Sequence, residues 1–291
     1  MMRITAESAA AAGTVLPRAA TRYYRRFRPI ERVMHALLML SFVGCAISGL
    51  PLLFADQEWA AVVARLLGGF DGAQIVHRVC AVVMLAVFAG HVAIVVGRAL
   101  KGRDLLALLW GPDSMVPQPK DIVDIWGHFK WFAGRGPRPQ FDRWTYWEKF
   151  DYWAVFWGMF IIGGSGLLLA FPLFFARVLP GWMFNIATLV HGEEALLAVG
   201  FIFTIHFFNG HLRPEKFPMD TVIFTGRIPE HELREERPLE YARLVERGEL
   251  VAHESAPPTR PALAFGWFVG GAALLVGVVT VVLIVYSLFT R

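Results

Sequence analysis

Cysteine is nearly absent: 291 residues hold only Cys45 and Cys80, both inside apolar runs. Neither forms a CxxC or CxxCH pattern, which excludes an iron–sulfur cluster and a covalently attached c-type prosthetic group. The first 20 residues lack a continuous apolar core, being Ala-rich and broken by Arg3, Glu7, Pro17 and Arg18. They do not read as a cleavable signal, so the first hydrophobic run is expected to act as its own insertion signal. There is no nucleic-acid motif, and no site for a flavin, molybdopterin or nickel. Charge is sparse as well, at 18% Asp, Glu, Lys and Arg.

Apolar residues take that place. The chain is 56% hydrophobic with 24 Phe and 10 Trp, and its mean hydropathy is +0.48. This composition indicates an all-α polytopic membrane protein. Five spans are expected, over 33–54, 75–97, 150–172, 184–210 and 262–288. The positive charge is sorted between the connections. Seven Lys/Arg precede or open the first span, nine lie between Arg98 and Lys149, and eight between Arg213 and Arg260. The two other connections hold only Arg65, Arg78 and Arg177. The positive-inside rule then places the N-terminus, the 98–149 loop and the 211–261 segment in the cytoplasm of a bacterial inner membrane. The net charge of +4 follows from this topology. The expected organisation is a basic segment 1–30, disordered at first, then a four-helix membrane domain 31–225. A charged segment 226–261, with its run from Glu230 to Glu249 read as a solvated helix face, leads to a fifth span at 262–291.

Histidine inside these spans needs a reason, because lipid penalises polar side chains. His77 and His91 are 14 residues apart, and His191 and His206 are 15 apart. At ~1.5 Å per residue each gap covers roughly 21–22 Å, and at ~100° per residue each pair returns to one helix face. Topology sorts them into two depths. The outer level offers His77 and His191; the inner level offers His206 with either His35 or His91. Imidazoles facing each other at two depths suit two stacked haem b groups with axial His ligands, in a four-helix haem-binding bundle. Gly44, Gly49, Gly163, Gly164, Gly166 and Gly200 are expected to let the backbone approach the flat macrocycles, Gly200 midway between the two levels. Arg78 is the outer candidate partner for haem propionates, and Arg32, Arg98 and Arg213 are the inner ones.

The run Arg32-Val-Met-His35 followed by Ser48-Gly49, then His77, Leu189-Val-His191, His206 and Trp144-Thr-Tyr-Trp-Glu-Lys149 with Trp153, resembles a known family. It is that of the membrane cytochrome b (gamma) subunit of respiratory formate dehydrogenases and the related nickel–iron hydrogenase cytochromes b. The likeness covers roughly residues 25–250. It implies His77 and His191 as outer ligands and His35 with His206 as inner ones. Two departures stand out. The family's pair on the fourth helix is usually one residue closer than His191 and His206, and the His77/His91 spacing instead looks like that of the cytochromes b of quinol–cytochrome c oxidoreductases.

The resemblance implies an electron-transfer subunit rather than a complete enzyme. Electrons would pass between an outer-face iron–sulfur or multihaem cytochrome c subunit, part of a dehydrogenase or reductase, and menaquinone or ubiquinone at the cytoplasmic side. Thr145, Tyr146, Glu148 and Lys149 are the expected quinone-side residues; His211, Glu215 and Asp220 are read as solvated surface, with a proton path as the alternative. His128, His231 and His253 are expected to be solvated. The competing classes are a haem-free proton-relay transporter and a stand-alone transmembrane reductase.

Overall fold

The computed structural model describes residues 21–102 and 105–290. Residues 1–20, where disorder was expected, and Arg103 of the basic loop lie outside the described residues. Among the described residues five helices are long and apolar enough to cross a membrane: Pro29–Leu53, Gly69–Lys101, Tyr146–Ala170, Trp182–Leu212 and Arg260–Phe289. They correspond one for one to the expected spans. A short helix, Glu58–Leu66, not foreseen in the sequence, fills the connection between the first two spans. The chain is a polytopic all-α membrane protein.

The first and second spans form one hairpin and the third and fourth another; contacts of span one with span four and of span two with span three close a four-helix bundle. The fifth span lies outside this ring. Ala46, Leu50 and Phe54 of span one, Ala60 of the short helix, Val199, Phe203 and Phe207 of span four, and Ile284 of span five form one buried cluster. Lipid tails are as apolar as these side chains, so close packing rather than water exclusion must hold the seam. Small residues make it possible. A Cβ on Gly277 would stand 2.7 Å from Phe203 and 2.9 Å from Phe207, and one on Gly270 would run into Met219 Sδ. At the far end the Trp59 indole donates to Ser287 Oγ at 2.9 Å.

On the N-terminal face, referred to below as the near face, three segments distant in sequence fold together. Strands β1 (Tyr23–Arg25), β2 (Arg227–Pro229) and β3 (Glu254–Ser255) pair antiparallel in the order β2-β1-β3. Gly226, at φ +75°, turns the chain from helix Val222–Thr225 into β2, a backbone region closed to most L-residues. The charged run Glu230–Glu249 is more than a solvated face. Glu240, 3% exposed, bonds Arg26 at 2.8 Å and Arg143 at 3.0 Å, tying all three basic connections to one carboxylate. Burial pulls the Arg26 guanidinium down to about 10, against the support of Glu240.

Lys216 is likewise buried among Asp220, Glu236 and Glu232, at 3.0, 2.9 and 2.8 Å. Burial lowers its pKa, but the three carboxylates outweigh that and hold it above the usual lysine value.

Two outcomes follow for this layer. Glu240→Ala should cost about 3–5 kcal/mol, because it leaves the Arg26 charge buried and uncompensated; a parent-like melting temperature in detergent would contradict the buried pair. For Lys216, a base whose folded pKa is raised, the stabilisation is complete below the unfolded value of ~10.4 and is lost as pH rises through the folded value. The alkaline loss of stability in the parent should therefore shrink in Lys216→Met, read from melting temperature against pH. An unchanged alkaline slope would count against it.

Candidate functional site

His77 on span two and His191 on span four face each other at the far level, with ring centroids 6.1 Å apart. Each ring is held from behind by the other helix of its hairpin. His77 Nδ1 lies 3.1 Å from the Cys45 carbonyl and 3.4 Å from Ser48 Oγ. His191 Nδ1 lies 2.9 Å from the Ile162 carbonyl and 3.3 Å from Ser165 Oγ. A carbonyl can only accept, so Nδ1 carries the hydrogen in both rings and Nε2 keeps its lone pair.

The two cradles are built from one pattern. The carbonyl belongs to residue i, the serine to i+3 and a glycine to i+4: Cys45, Ser48, Gly49 on span one, and Ile162, Ser165, Gly166 on span three. A Cβ on Gly49 would stand 2.9 Å from His77 Cε1, and one on Gly166 would stand 3.0 Å from His191 Cε1. Each serine hydroxyl bonds back into its own helix, Ser48 to Gly44 at 2.6 Å and Ser165 to Ile161 at 2.7 Å, so it needs no lipid-exposed partner. The glycines thus make room for the imidazoles themselves. Gly200, expected to admit a macrocycle, has open space where its Cβ would be, and Gly44 faces Cys80.

At the near level the residues differ. His206 Nδ1 donates to Asp151 Oδ2 of span three at 2.9 Å, again leaving Nε2 available. His35 on span one lies within electrostatic reach of both His206 and His211. His91 is turned elsewhere: its Nε2 is 2.9 Å from the Tyr152 hydroxyl, and its ring packs against Phe156. The extra residue between His191 and His206 has a structural counterpart in a π-helical turn over Ile202–His206. Such a turn absorbs one residue, so 15 steps carry His206 round the axis about as far as 14 steps of regular helix.

Among the described residues, three buried side-chain polar atoms lack a hydrogen-bond partner, and two of them, Asp151 Oδ1 and His211 Nδ1, lie beside His206. The four residues expected near a quinone are engaged otherwise. Thr145 is fully buried and caps span three with Glu148, whose other oxygen bonds Arg237 at 2.8 Å. Lys149 Nζ sits 3.0 and 2.9 Å from the two oxygens of Asp121, and the Tyr146 hydroxyl is 2.9 Å from His128 Nδ1. His128 is buried at 7% exposure rather than solvated, and that burial lowers its pKa. Arg78 stands exposed beside His77, and Arg98 is exposed at the near end of span two. Arg32 donates to the Phe224 carbonyl, and Arg213 donates to Asn209 and covers the Trp147 ring. Asp151 gave no spacing signal in the sequence; an acid one residue before Tyr152 and inside an apolar run was the available clue.

The family model for prokaryotic cytochrome b561 matches residues 26–214, well over half of the chain. The chain belongs to that family, whose members are membrane electron-transfer proteins that bind haem b. No curated protein gives a significant match. The far pair fits such a group. His77 and His191 would hold it, their ring centroids 6.1 Å apart and each ring anchored through Nδ1.

If the glycine niches seat the rings, Gly49→Val should displace His77 and lower the haem bound per chain, measured as the pyridine haemochrome of purified protein. Gly271→Ala, where a Cβ meets nothing within 4 Å, serves as the control and should retain it. Equal haem in both variants would rule out the niche.

Proposed function

We propose that this member of the prokaryotic cytochrome b561 family binds two haem b groups and carries electrons across the bacterial inner membrane. Its near face is the cytoplasmic one. His77 and His191 hold the outer haem; His35 and His206 hold the inner one. A quinone, menaquinone or ubiquinone, reacts beside the inner level. An iron–sulfur or multihaem cytochrome c subunit of a dehydrogenase or reductase docks at the outer face.

The observation that carries this reading is the paired cradle. Two imidazoles on different hairpins, each with Nδ1 anchored to a carbonyl and so with its lone pair on Nε2, stand with ring centroids 6.1 Å apart. Anchoring the second nitrogen is the usual means of orienting a ligating histidine and raising its basicity. Bound haem supplies a one-electron couple, and with both axial positions filled it offers no site for oxygen. The protein's part is to fix the ligands, exclude water and set the distance between the levels. His191 and His206 are 15 residues apart on one span, which sets the two levels roughly 20 Å apart along the axis.

The choice of His35 over His91 rests on what each ring already does. His91 Nε2, the nitrogen that would face a metal, is bonded to Tyr152, while His35 stands near His206. For the quinone, the supporting observation is the pair of orphaned atoms, Asp151 Oδ1 and His211 Nδ1, since buried polar atoms are almost always bonded. A quinone carbonyl and its reduced hydroxyl can accept from and donate to such atoms. Reduction of a quinone takes two electrons and two protons, and both groups can hold a proton at the site. Thr145, Tyr146, Glu148 and Lys149 then form the structural rim of this end, one turn above Asp151. Oxidation of a quinol, with flow reversed, uses the same residues.

Haem counting on single variants tests the assignment. His77→Ala and His191→Ala should each leave one haem per chain and the same residual spectrum. His206→Ala and His35→Ala should each leave one with a different, shared spectrum, and His91→Ala should leave two. A colourless parent protein would overturn the electron-transfer reading. Loss of a haem in His91→Ala with both kept in His35→Ala would reassign the inner ligand.

A further inference from the structure

Helix Pro119–Phe132, in the connection between spans two and three, is turned inside out. Its polar residues are buried: Asp121 and Asp124 are 8% exposed and His128 is 7%. Its large apolar residues face outward, with Ile122 at 72%, Trp126 at 62% and Phe129 at 63%. Those three sit at i, i+4 and i+7 and make one stripe. This helix cannot be facing plain water without exposing a contiguous apolar patch.

Its attachment to span three gives its position. Asp121 binds Lys149 and His128 binds Tyr146, each at 2.9 Å. Those anchors are seven residues apart on the helix, about 10 Å, but only three apart on the span, about 4.5 Å. Both anchors meet the first turn of span three, so the helix is held at that end of the span. The chain just before it is also tied to span three, where the Trp153 indole donates to the Met115 carbonyl at 2.9 Å. Lys130 and Arg135 are exposed near its C-terminal end, and neither forms an ion pair among the described residues. Lys130 lies 6.0 Å from the Trp126 ring, bridging the apolar stripe and the charged rim.

We propose that Pro119–Phe132 is an in-plane interfacial helix. Ile122, Trp126 and Phe129 enter the acyl boundary of the near leaflet, while Lys130 and Arg135 meet anionic lipid headgroups. The occupant is lipid because the stripe is fixed beside the exposed Phe150, Trp153 and Trp157 of span three, and because the unpaired rim charge is positive. Amphipathic helices of this kind sink their apolar face about 5–10 Å below the headgroups. The helix then sets the depth of span three: through Asp121–Lys149 and His128–Tyr146 it holds the first turn of the span at the interface.

The full chain in nanodiscs of phosphatidylethanolamine and phosphatidylglycerol tests this. The part of the tryptophan emission that is lost in Trp126→Phe should be quenched by lipids brominated along the acyl chain and shielded from aqueous iodide. Emission that resists brominated lipid and yields to iodide would overturn the proposal. A photo-reactive phenylalanine analogue in place of Phe129 gives a second measurement, in cell membranes. Adducts of phospholipid mass support the lipid face, and adducts to another polypeptide would make it a protein-docking face instead.

Discussion

A hydrogen bond from imidazole Nδ1 to a backbone carbonyl of the neighbouring span is the contact on which the rest of this protein turns. It fixes the tautomer of His77 and of His191, aims Nε2 into the bundle, and satisfies a polar ring where no water is at hand. A helical carbonyl is normally committed to its own ladder, but it has two lone pairs and can accept a second donor. The ring reaches it only where the facing residue has no Cβ, which is why a glycine follows four residues on. Span one serves span two in this way, and span three serves span four. Each hairpin is a prepared half of the site, and the bundle is what brings the halves together.

The near face has a different task. Its sheet and ion pairs join the basic segment before span one, the 98–149 loop and the segment after span four into one layer around Glu240, Arg26 and Arg143. Buried ion pairs stabilise little by themselves, yet they penalise every arrangement in which one member is left alone. The layer thereby sets which span ends lie side by side. The near-level polar cluster of His35, Asp151, His206 and His211 sits just beneath it. Anchoring His206 through a carboxylate, where the far histidines are anchored through neutral carbonyls, makes the two levels chemically unequal. Such inequality suits a path with distinct ends. The fifth span, beyond the matched residues 26–214, seals the seam of spans one and four with a glycine face.

Much of this was legible in the sequence because lipid makes simple demands. Length and hydropathy gave the five spans, and the cost of polar groups in hydrocarbon singled out the histidines. What one chain's spacing could not reveal were contacts between helices. Ser165-Gly166 repeats Ser48-Gly49, but the repeat has meaning only once span three is seen behind His191. Asp151 is an isolated acid in an apolar run until it meets His206. The π-turn at Ile202–His206 could not be read from a pattern that assumes 3.6 residues per turn. Helix Pro119–Phe132 carries an amphipathic pattern, but which face turns inward depends on Lys149 and Tyr146. The charge run from Glu230 looked like a solvated surface because its partner Arg26 lies more than 200 residues away.

The central claim is that paired imidazoles close on iron from two sides. Low-temperature electron paramagnetic resonance of the oxidised, purified chain tests it most directly. The account predicts low-spin ferric signals of bis-imidazole haem from both levels and no high-spin haem. A dominant high-spin signal, showing iron with an axial position left open, would contradict it.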